Sequence, residues 1–519
     1  MQLTEPLHRG RRECPDATAL VCGPRRLSFA QLADRVARLA GVLRQLGLQP
    51  CDRVALLGLN SDRYVEQLFG TWWAGGVVNP VNTRWNPKEI AYSLDDCETG
   101  LLLVADPFTE VAAELARHSR SLRTLVHVGD GPAPDGMLSY EALLAAATPV
   151  ADARRGGDEL AAVMYTGGTT GMPKGVMLTH DNLALNAQAA IAAAPRPAVA
   201  VGICAAPMFH VGGCGLTLQL MTRLAKQVIL PAFDEVAVLD AIRDEGGNEV
   251  FLVPTMVKRL IEHPRFGEYD VSGLDLVLYG AAPIDAALLG QALRALPQAR
   301  FCQMYGMTEL APVATVLPAH CHTAAEAEGE PGRRRLRSAG LAVSTAELRI
   351  VDDQARAVPP GTVGEITVRG PTVMAGYWGK PEQSAEALRE GWLHTGDGGY
   401  LDEDGFLYVV DRIKDMIISG GENVYSAEVE NVIAQMPQVS ACAVIGVPDA
   451  VWGERVHAVI TLRPGQALDS GDVIAFCRNS IAAYKCPRSV EFRDALPLSA
   501  AGKLLKYQLR DPHWKGSGS

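Results

Sequence analysis

Ser28-Phe-Ala-Gln-Leu-Ala-Asp-Arg-Val-Ala-Arg-Leu-Ala-Gly-Val-Leu-Arg-Gln-Leu46 is followed by Gly47 and then by Arg53-Val-Ala-Leu-Leu-Gly-Leu59. Phe29, Leu32, Val36, Leu39, Leu43 and Leu46 alternate spacings of three and four, which puts them on one face of a helix. Ser28 can cap the start with Gln31 answering three residues on, and Gly47 can end the helix. The Arg53 run is short, continuously apolar and reads as a buried strand. Helix and strand keep alternating to about residue 310, for example a helix near 235–246 before Glu249-Val-Phe-Leu-Val253, then Leu274–Tyr279. Such alternation implies sheets covered by helices, with ligands at the carboxyl ends of the strands.

From about residue 340 the texture changes. Ala346–Val351, Gly364–Val368 and Gly405–Val410 are short strand patterns separated by Gly, Pro and Asp turns. The charged turn Asp411-Arg412-Ile413-Lys414-Asp415 precedes a self-contained pattern. It comprises a helix at 426–436, strands at 439–447 and 455–463, a helix at 470–482 and a strand at 489–493. The fold class expected is therefore α/β: a large multi-sheet N-terminal domain, 1–411, a hinge, 412–415, and a small α+β C-terminal domain, 416–511. Residues 512–519, ending Gly516-Ser517-Gly518-Ser519, read as a flexible tail.

The 519 residues are 48% hydrophobic and 21% charged, ordinary for a globular chain and enough to bury large cores. Against 59 Asp and Glu stand 48 Lys and Arg, a net charge of −11. That balance gives no general attraction for nucleic acid or anionic lipid, so an anionic ligand needs a local site. No apolar h-region opens the chain, and Arg196 and several prolines interrupt the apolar stretch 191–213. Neither a secretory signal nor a membrane span is expected. The eleven cysteines are scattered and never spaced C-x-x-C, which fits reduced thiols in a cytoplasmic protein. His320-Cys321-His322 has metal-ligating side chains, but it lies in an irregular stretch with no second ligand pair.

Tyr165-Thr166-Gly167-Gly168-Thr169-Thr170-Gly171-Met172-Pro173-Lys174-Gly175 carries the most chemistry. Glycines let backbone N–H groups turn toward an anion, threonine hydroxyls add donors and Lys174 adds charge, which together make a phosphate cradle. On three glycines alone an ordinary Gly/Thr turn reads as well. It is not the G-K-[S/T] pattern, because Met172-Pro173 separates Gly171 from Lys174. A phosphotransferase releasing ADP therefore starts at a disadvantage.

This loop resembles the phosphate loop of the adenylate-forming superfamily of acyl- and aryl-CoA synthetases, adenylation domains and luciferases. Further signatures follow in that superfamily's order across essentially the whole chain. They are Pro207-Met-Phe-His-Val-Gly-Gly213, Gly280-Ala-Ala-Pro283, Tyr305-Gly-Met-Thr-Glu309, Gly391-Trp-Leu-His-Thr-Gly-Asp397, Asp411–Asn423 and Gly502-Lys503. The resemblance implies an ATP-dependent carboxylic acid:CoA ligase. The carboxylate attacks the α-phosphate of ATP, giving acyl-AMP and pyrophosphate, and the CoA thiol then displaces AMP to form a thioester. An enzyme delivering the acyl group to carrier-protein phosphopantetheine is the alternative, with no carrier domain expected after residue 511. A nucleotide-binding protein without catalysis is disfavoured by intact Lys174, Glu309, Asp397 and Lys503.

The resemblance also assigns residues. Lys503 is the adenylation lysine, Thr308 offers a hydroxyl to the α-phosphate, and Glu309 offers an oxygen to Mg²⁺. ATP and AMP fall to Thr166, Gly167, Gly168, Thr169, Thr170, Gly171 and Lys174, with Gly280, Ala281, Ala282 and Tyr305 as the adenine slot. Asp397 takes the ribose hydroxyls and Arg412 contacts the nucleotide. His210 stands between the acyl pocket and the pantetheine channel, and the pocket adds Val211, Gly212, Gly213, Gly306, Met307, Ala311 and Pro312. No Asp or Glu lies between Pro207 and Gly215 to hold a substrate amine, so an aryl or fatty acid is favoured over an amino acid. Lys414 occupies the hinge position that is usually aspartate, about which the small domain would alternate between two poses. For CoA the resemblance points to Gly420, Gly421, Trp452, Tyr484 and Lys485. The partners implied are ATP, CoA and a small carboxylic acid, without nucleic acid, and a homodimer is allowed.

Overall fold

Ser28 and Gln31 begin the first long helix as a reciprocal cap: Ser28 Oγ accepts from the Gln31 N–H at 3.2 Å, and Gln31 Oε1 accepts from the Ser28 N–H at 2.8 Å. The helix runs Phe29–Gln45 and buries its predicted apolar face. The chain leaves it through Gly47 in the left-handed region, φ +95°. A computed structural model describes residues 1–166, 172–325, 328–419, 422–449, 451–498 and 504–514, with Arg412, Lys414, Glu422 and Asn423 described in their backbone only.

Two sheets dominate. The first has nine strands in the spatial order Leu341–Ala342, Val313–Leu317, Arg300–Gly306, Leu276–Gly280, Glu249–Leu252, Val201–Cys204, Lys226–Ile229, Thr18–Cys22 and Arg25–Ser28. Neighbours from Arg300–Gly306 through Thr18–Cys22 are parallel. The second has eight: Gly376–Tyr377, Lys174–Thr179, Leu160–Thr166, Val77–Pro80, Arg53–Leu57, Leu101–Ala105, Thr124–Val128 and Leu138–Ser139. Its antiparallel pair Leu160–Thr166 and Lys174–Thr179 flanks the Gly/Thr loop. Buried helices cover the strands; Trp72, fully buried on helix Asp62–Ala74, donates its indole N–H to the Ala161 carbonyl at 2.9 Å.

A third, antiparallel sheet contains Glu347–Val351, Gly364–Arg369, Trp392–Leu401 and Leu388–Arg389, with Leu407–Arg412 paired to Trp392–Leu401. The last of these strands begins two residues later than the sequence suggests. Asp402 Oδ1 accepts from the N–H groups of Asp404 and Phe406, so a turn takes up Gly405 and Phe406. The fourth sheet holds Glu422–Val424, Ile417–Ser419, Gly453–Leu462 and Val439–Asp449, with Ser489–Phe492 on Gly453–Leu462. Helices Ser426–Ile433, Ser470–Ser480 and Lys506–Trp514 accompany it. Asp411 accepts from both the backbone N–H and the hydroxyl of Ser426, tying the end of the third sheet to the first helix of the fourth.

The stretch around His320-Cys321-His322 is helical, Ala319–Ala324, not irregular. His322 is buried with Nε2 at 2.9 Å from the Tyr279 hydroxyl and Nδ1 at 3.1 Å from the Pro318 carbonyl, so both ring nitrogens serve packing. All eleven cysteines are free. Among the described residues no helix is long and apolar enough to cross a membrane.

Candidate active site

The carboxyl ends of five strands, those closing at Thr166, Cys204, Leu252, Gly280 and Gly306, open on one cavity of about 1460 Å³. Its walls include Thr166, Lys174, His210, Val211, Gly212, Gly213, Ala281, Tyr305, Gly306, Met307, Thr308, Glu309 and Pro312, so most of the described predicted residues converge there. Gly167, Gly168, Thr169, Thr170, Gly171, Gly420, Gly421 and Lys503 lie outside the described residues, as do the side chains of Arg412 and Lys414.

Thr308–Leu310 is a single 3-10 turn leaving the central strand Arg300–Gly306, and it fixes Glu309 at 6% exposure on the cavity wall. Glu309 Oε1 accepts from the Tyr377 hydroxyl at 2.9 Å, while its backbone carbonyl accepts from the Met374 N–H at 2.9 Å. The Lys174 ammonium lies 5.1 Å above the Tyr377 ring, close enough for a cation–π contact. Tyr377 thus joins the cationic and anionic sides of the site, a role the sequence reading missed. It reaches them because Gly376–Tyr377 pairs with Val176 and Met177 as an edge strand. Nothing in the local pattern around residue 377 announces that pairing.

The Tyr305 hydroxyl donates to Asp397 Oδ2 at 2.7 Å, so the residues assigned to adenine and ribose form one unit. Asp397 is 7% exposed, and its neighbours Thr395, Gly396 and Gly398 line the cavity. A carboxylate accepts about four hydrogen bonds, so Asp397 can serve Tyr305 and further partners at once. Of the expected adenine slot, Ala281 and Tyr305 reach the cavity, while Gly280 and Ala282 do not line it. Gly280 ends its strand against the next one: a Cβ there would stand 2.1 Å from the Met304 carbonyl, so that position serves strand packing. Ala311 is buried behind Pro312.

His210 precedes helix Val211–Thr222 and packs its ring 4.5 Å from that of Phe209. Its Nε2 is buried and has no hydrogen-bond partner among the described residues. Burial, helped by the charge of Arg84, pulls the imidazole down to about 4, so it is neutral at physiological pH. Arg84 and Trp85, on the cavity wall, were not anticipated; nor were Phe251, Met256 and Gln219 deeper in it. Apolar and Gln side chains on strand ends and helix faces carry no motif signal.

Leu498, Leu504 and Leu505 also line the cavity, and Leu498 pairs with Leu504 across the segment that contains Lys503. Lys506 lines it too and is held by Ser426 and, at 2.9 Å, by Glu430. Of the residues expected to meet CoA, Trp452 is 41% and Tyr484 39% exposed, outside the cavity. Arg488 stacks 4.2 Å over the Trp452 ring, and Lys485 pairs with Glu428 at 2.7 Å.

A family model described as AMP-binding enzyme matches residues 7–378, and one described as AMP-binding enzyme C-terminal domain matches 428–503. The chain belongs to the AMP-binding enzyme family. It is 42% identical over 507 residues to a feruloyl-CoA synthase of Amycolatopsis, covering 97% of each chain. It is 37% identical over 512 residues to the fatty acid–[acyl-carrier-protein] ligase ScoC of Streptomyces coeruleorubidus, covering 97% of this chain and 95% of that one. Among solved structures, ATP-bound MatB from Rhodopseudomonas palustris superposes with a TM-score of 0.88 at 32% identity, covering 99% of both chains.

Proposed function

We propose that this protein is an ATP-dependent carboxylic acid:CoA ligase that works through an acyl-adenylate. The observation that carries the reading is the meeting of Lys174, Tyr377, Glu309, His210 and Tyr305, the last bonded to Asp397, on one cavity at the carboxyl ends of the strands. Bringing a carboxylate against a polyphosphate needs fixed positive charge and donors around the reacting phosphorus. Lys174 and Thr166 supply these on the phosphate side, and Thr308 faces the same space. Tyr305 and Asp397 hold the nucleoside. Neutral His210, at the head of helix Val211–Thr222 and with no partner for Nε2 among the described residues, orients the substrate carboxylate without neutralising it.

The acid's oxygen then attacks the α-phosphorus and pyrophosphate leaves. In the second half-reaction the CoA thiolate attacks the acyl carbonyl and AMP leaves. Glu309 fits a Mg²⁺ ligand: it is a buried carboxylate with one oxygen held by Tyr377, and Mg²⁺ takes one or two carboxylates with waters and phosphates. When bound, the ion would neutralise phosphate charge. Lys503 is our choice for the charge bridging carboxylate and α-phosphate, supported by the flanking Leu498–Leu504 pair on the cavity wall. Residues 416–511 would then rotate about 412–415, exchanging Lys503 for Gly420 and Gly421. Trp452, Tyr484 and Lys485, with Arg488, offer exposed rings and charge to the nucleotide end of CoA. ATP and CoA as co-substrates support work in the cytoplasm, and a homodimer is the assembly we expect in solution.

Acyl transfer to a carrier protein is the second reading, favoured by the likeness to the acyl-carrier-protein ligase. Separate half-reactions test the assignment. Lys503→Ala should lower acid-dependent ATP–pyrophosphate exchange by about 100-fold or more, the scale for removing one stabilising charge. It should leave CoA thioester formation from supplied acyl-AMP within a few-fold. Equal losses in both would contradict the role of Lys503, and acyl-AMP that reaches a carrier but never CoA would favour the second reading.

A further inference from the structure

Helix Val211–Thr222 sends Gly212, Leu216 and Gln219 to the cavity, four and three residues apart on one face. A Cβ on Gly212 would meet only the Phe251 ring, at 3.4 Å, so the missing side chain leaves the way open toward Gln219. Leu216, Phe251, Val253 and Met256 make the walls of this end apolar. Gln219 is the exception: it lies on the cavity wall yet is 3% exposed.

The amide of Gln219 has a fixed orientation. Its Oε1 accepts from Arg196 Nη2 at 2.6 Å. Arg196 is itself held by the fully buried Glu249, which also takes Arg223 Nη1 at 2.6 Å. A guanidinium can only donate, so the amide oxygen must face it and the NH₂ must turn the other way. Among the described residues Nε2 has no hydrogen-bond partner, so the NH₂ is a donor set aimed into an apolar pocket. From Gly212 to Gln219 the helix rises roughly 10 Å at about 1.5 Å per residue.

We propose that Gln219 reads a hydrogen-bond acceptor at the far end of the acyl group. The favoured substrate is an acid carrying an oxygen about 10 Å along the pocket from its carboxylate, such as an oxygenated aryl acid, rather than a plain hydrocarbon acid. This rests on the ligase reading above and adds the substrate class.

The test uses matched acids that differ only in a terminal methoxy or ethyl group, built on arylpropenoic, arylacetic and straight-chain frames. AMP release in the presence of CoA is the readout. The intact protein should favour the methoxy member by about 10-fold in kcat/KM on the frame it uses best, the scale of one well-placed hydrogen bond. Gln219→Glu keeps the acceptor for Arg196 but loses the donors and should erase or invert that ratio, mainly through KM. Gln219→Leu should equalise the pair, and thermal unfolding checks that both variants fold. A merely structural Gln219 would lower both members alike and leave the ratio unchanged. Equal use of methoxy and ethyl acids by the intact protein, or an unchanged ratio in Gln219→Glu, overturns the assignment while leaving the ligase reading standing. Absence of AMP with every acid overturns the ligase reading instead.

Discussion

Glu309 and Tyr377 show the scale at which a single contact matters. A Glu309→Gln substitution keeps the shape and the Tyr377 hydrogen bond but removes the charge proposed to face Mg²⁺. It should cut AMP formation by about 100-fold or more, partly recovered at high Mg²⁺. Tyr377→Phe removes one 2.9 Å hydrogen bond and should cost about 10-fold. Steady-state AMP release across a Mg²⁺ titration checks both, and a Glu309→Gln enzyme with unaltered Mg²⁺ dependence would contradict the role. Thr308, Glu309, Asp397 and His210 could be named from the sequence because each stands in a motif that resembles one of the adenylate-forming superfamily; residue type alone left each an ordinary structural reading. Tyr377 was not, because its importance arises from an edge-strand pairing with Val176 and Met177 that brings distant sequence together.

At the scale of elements, the Ser28 cap and its helix were readable to within a residue at the far end, because capping and a 3.6-residue period are local properties. Ser28→Ala should lower stability by about 1 kcal/mol, measured by urea unfolding. The short helix Ala319–Ala324 was not readable. Six residues are too few for a period, and its place is set by the packing of His322 on Tyr279. A neighbouring case has a pH consequence. His180 opens helix His180–Ala193, is 1% exposed, and has both ring nitrogens buried without partners among the described residues. Burial pulls it down to about 4, whereas an unfolded-chain histidine titrates near 6.5. Between those values the unfolded state binds the extra proton, so stability falls as pH falls, by up to about 1.4 kcal/mol per pH unit. His180→Met should remove that slope between pH ~6.5 and ~4, read from unfolding midpoints. An unchanged slope would show that His180 is not buried neutral.

For the whole molecule, the net charge of −11 and the anionic substrates are reconciled by location. Arg84, Lys174, Arg389 and Lys506 bring cations to a cavity wall that also carries eight carboxylates, so an anion is met by where these side chains stand and not by a positive wall. The two large, mostly parallel sheets were visible as α/β alternation, but their meeting at one cavity was not, because strand order is a tertiary choice. Cross-contacts such as Lys258 Nζ to the Ser440 carbonyl, 3.2 Å, join the large unit to the fourth-sheet unit. The cavity wall likewise takes residues from both. Acid activation by this assembly makes a definite statement about products. Incubation with ATP, Mg²⁺, CoA and a panel of aryl and fatty acids, followed by product analysis, should yield AMP, pyrophosphate and acyl-CoA in equal amounts. ADP and inorganic phosphate in their place would contradict the account.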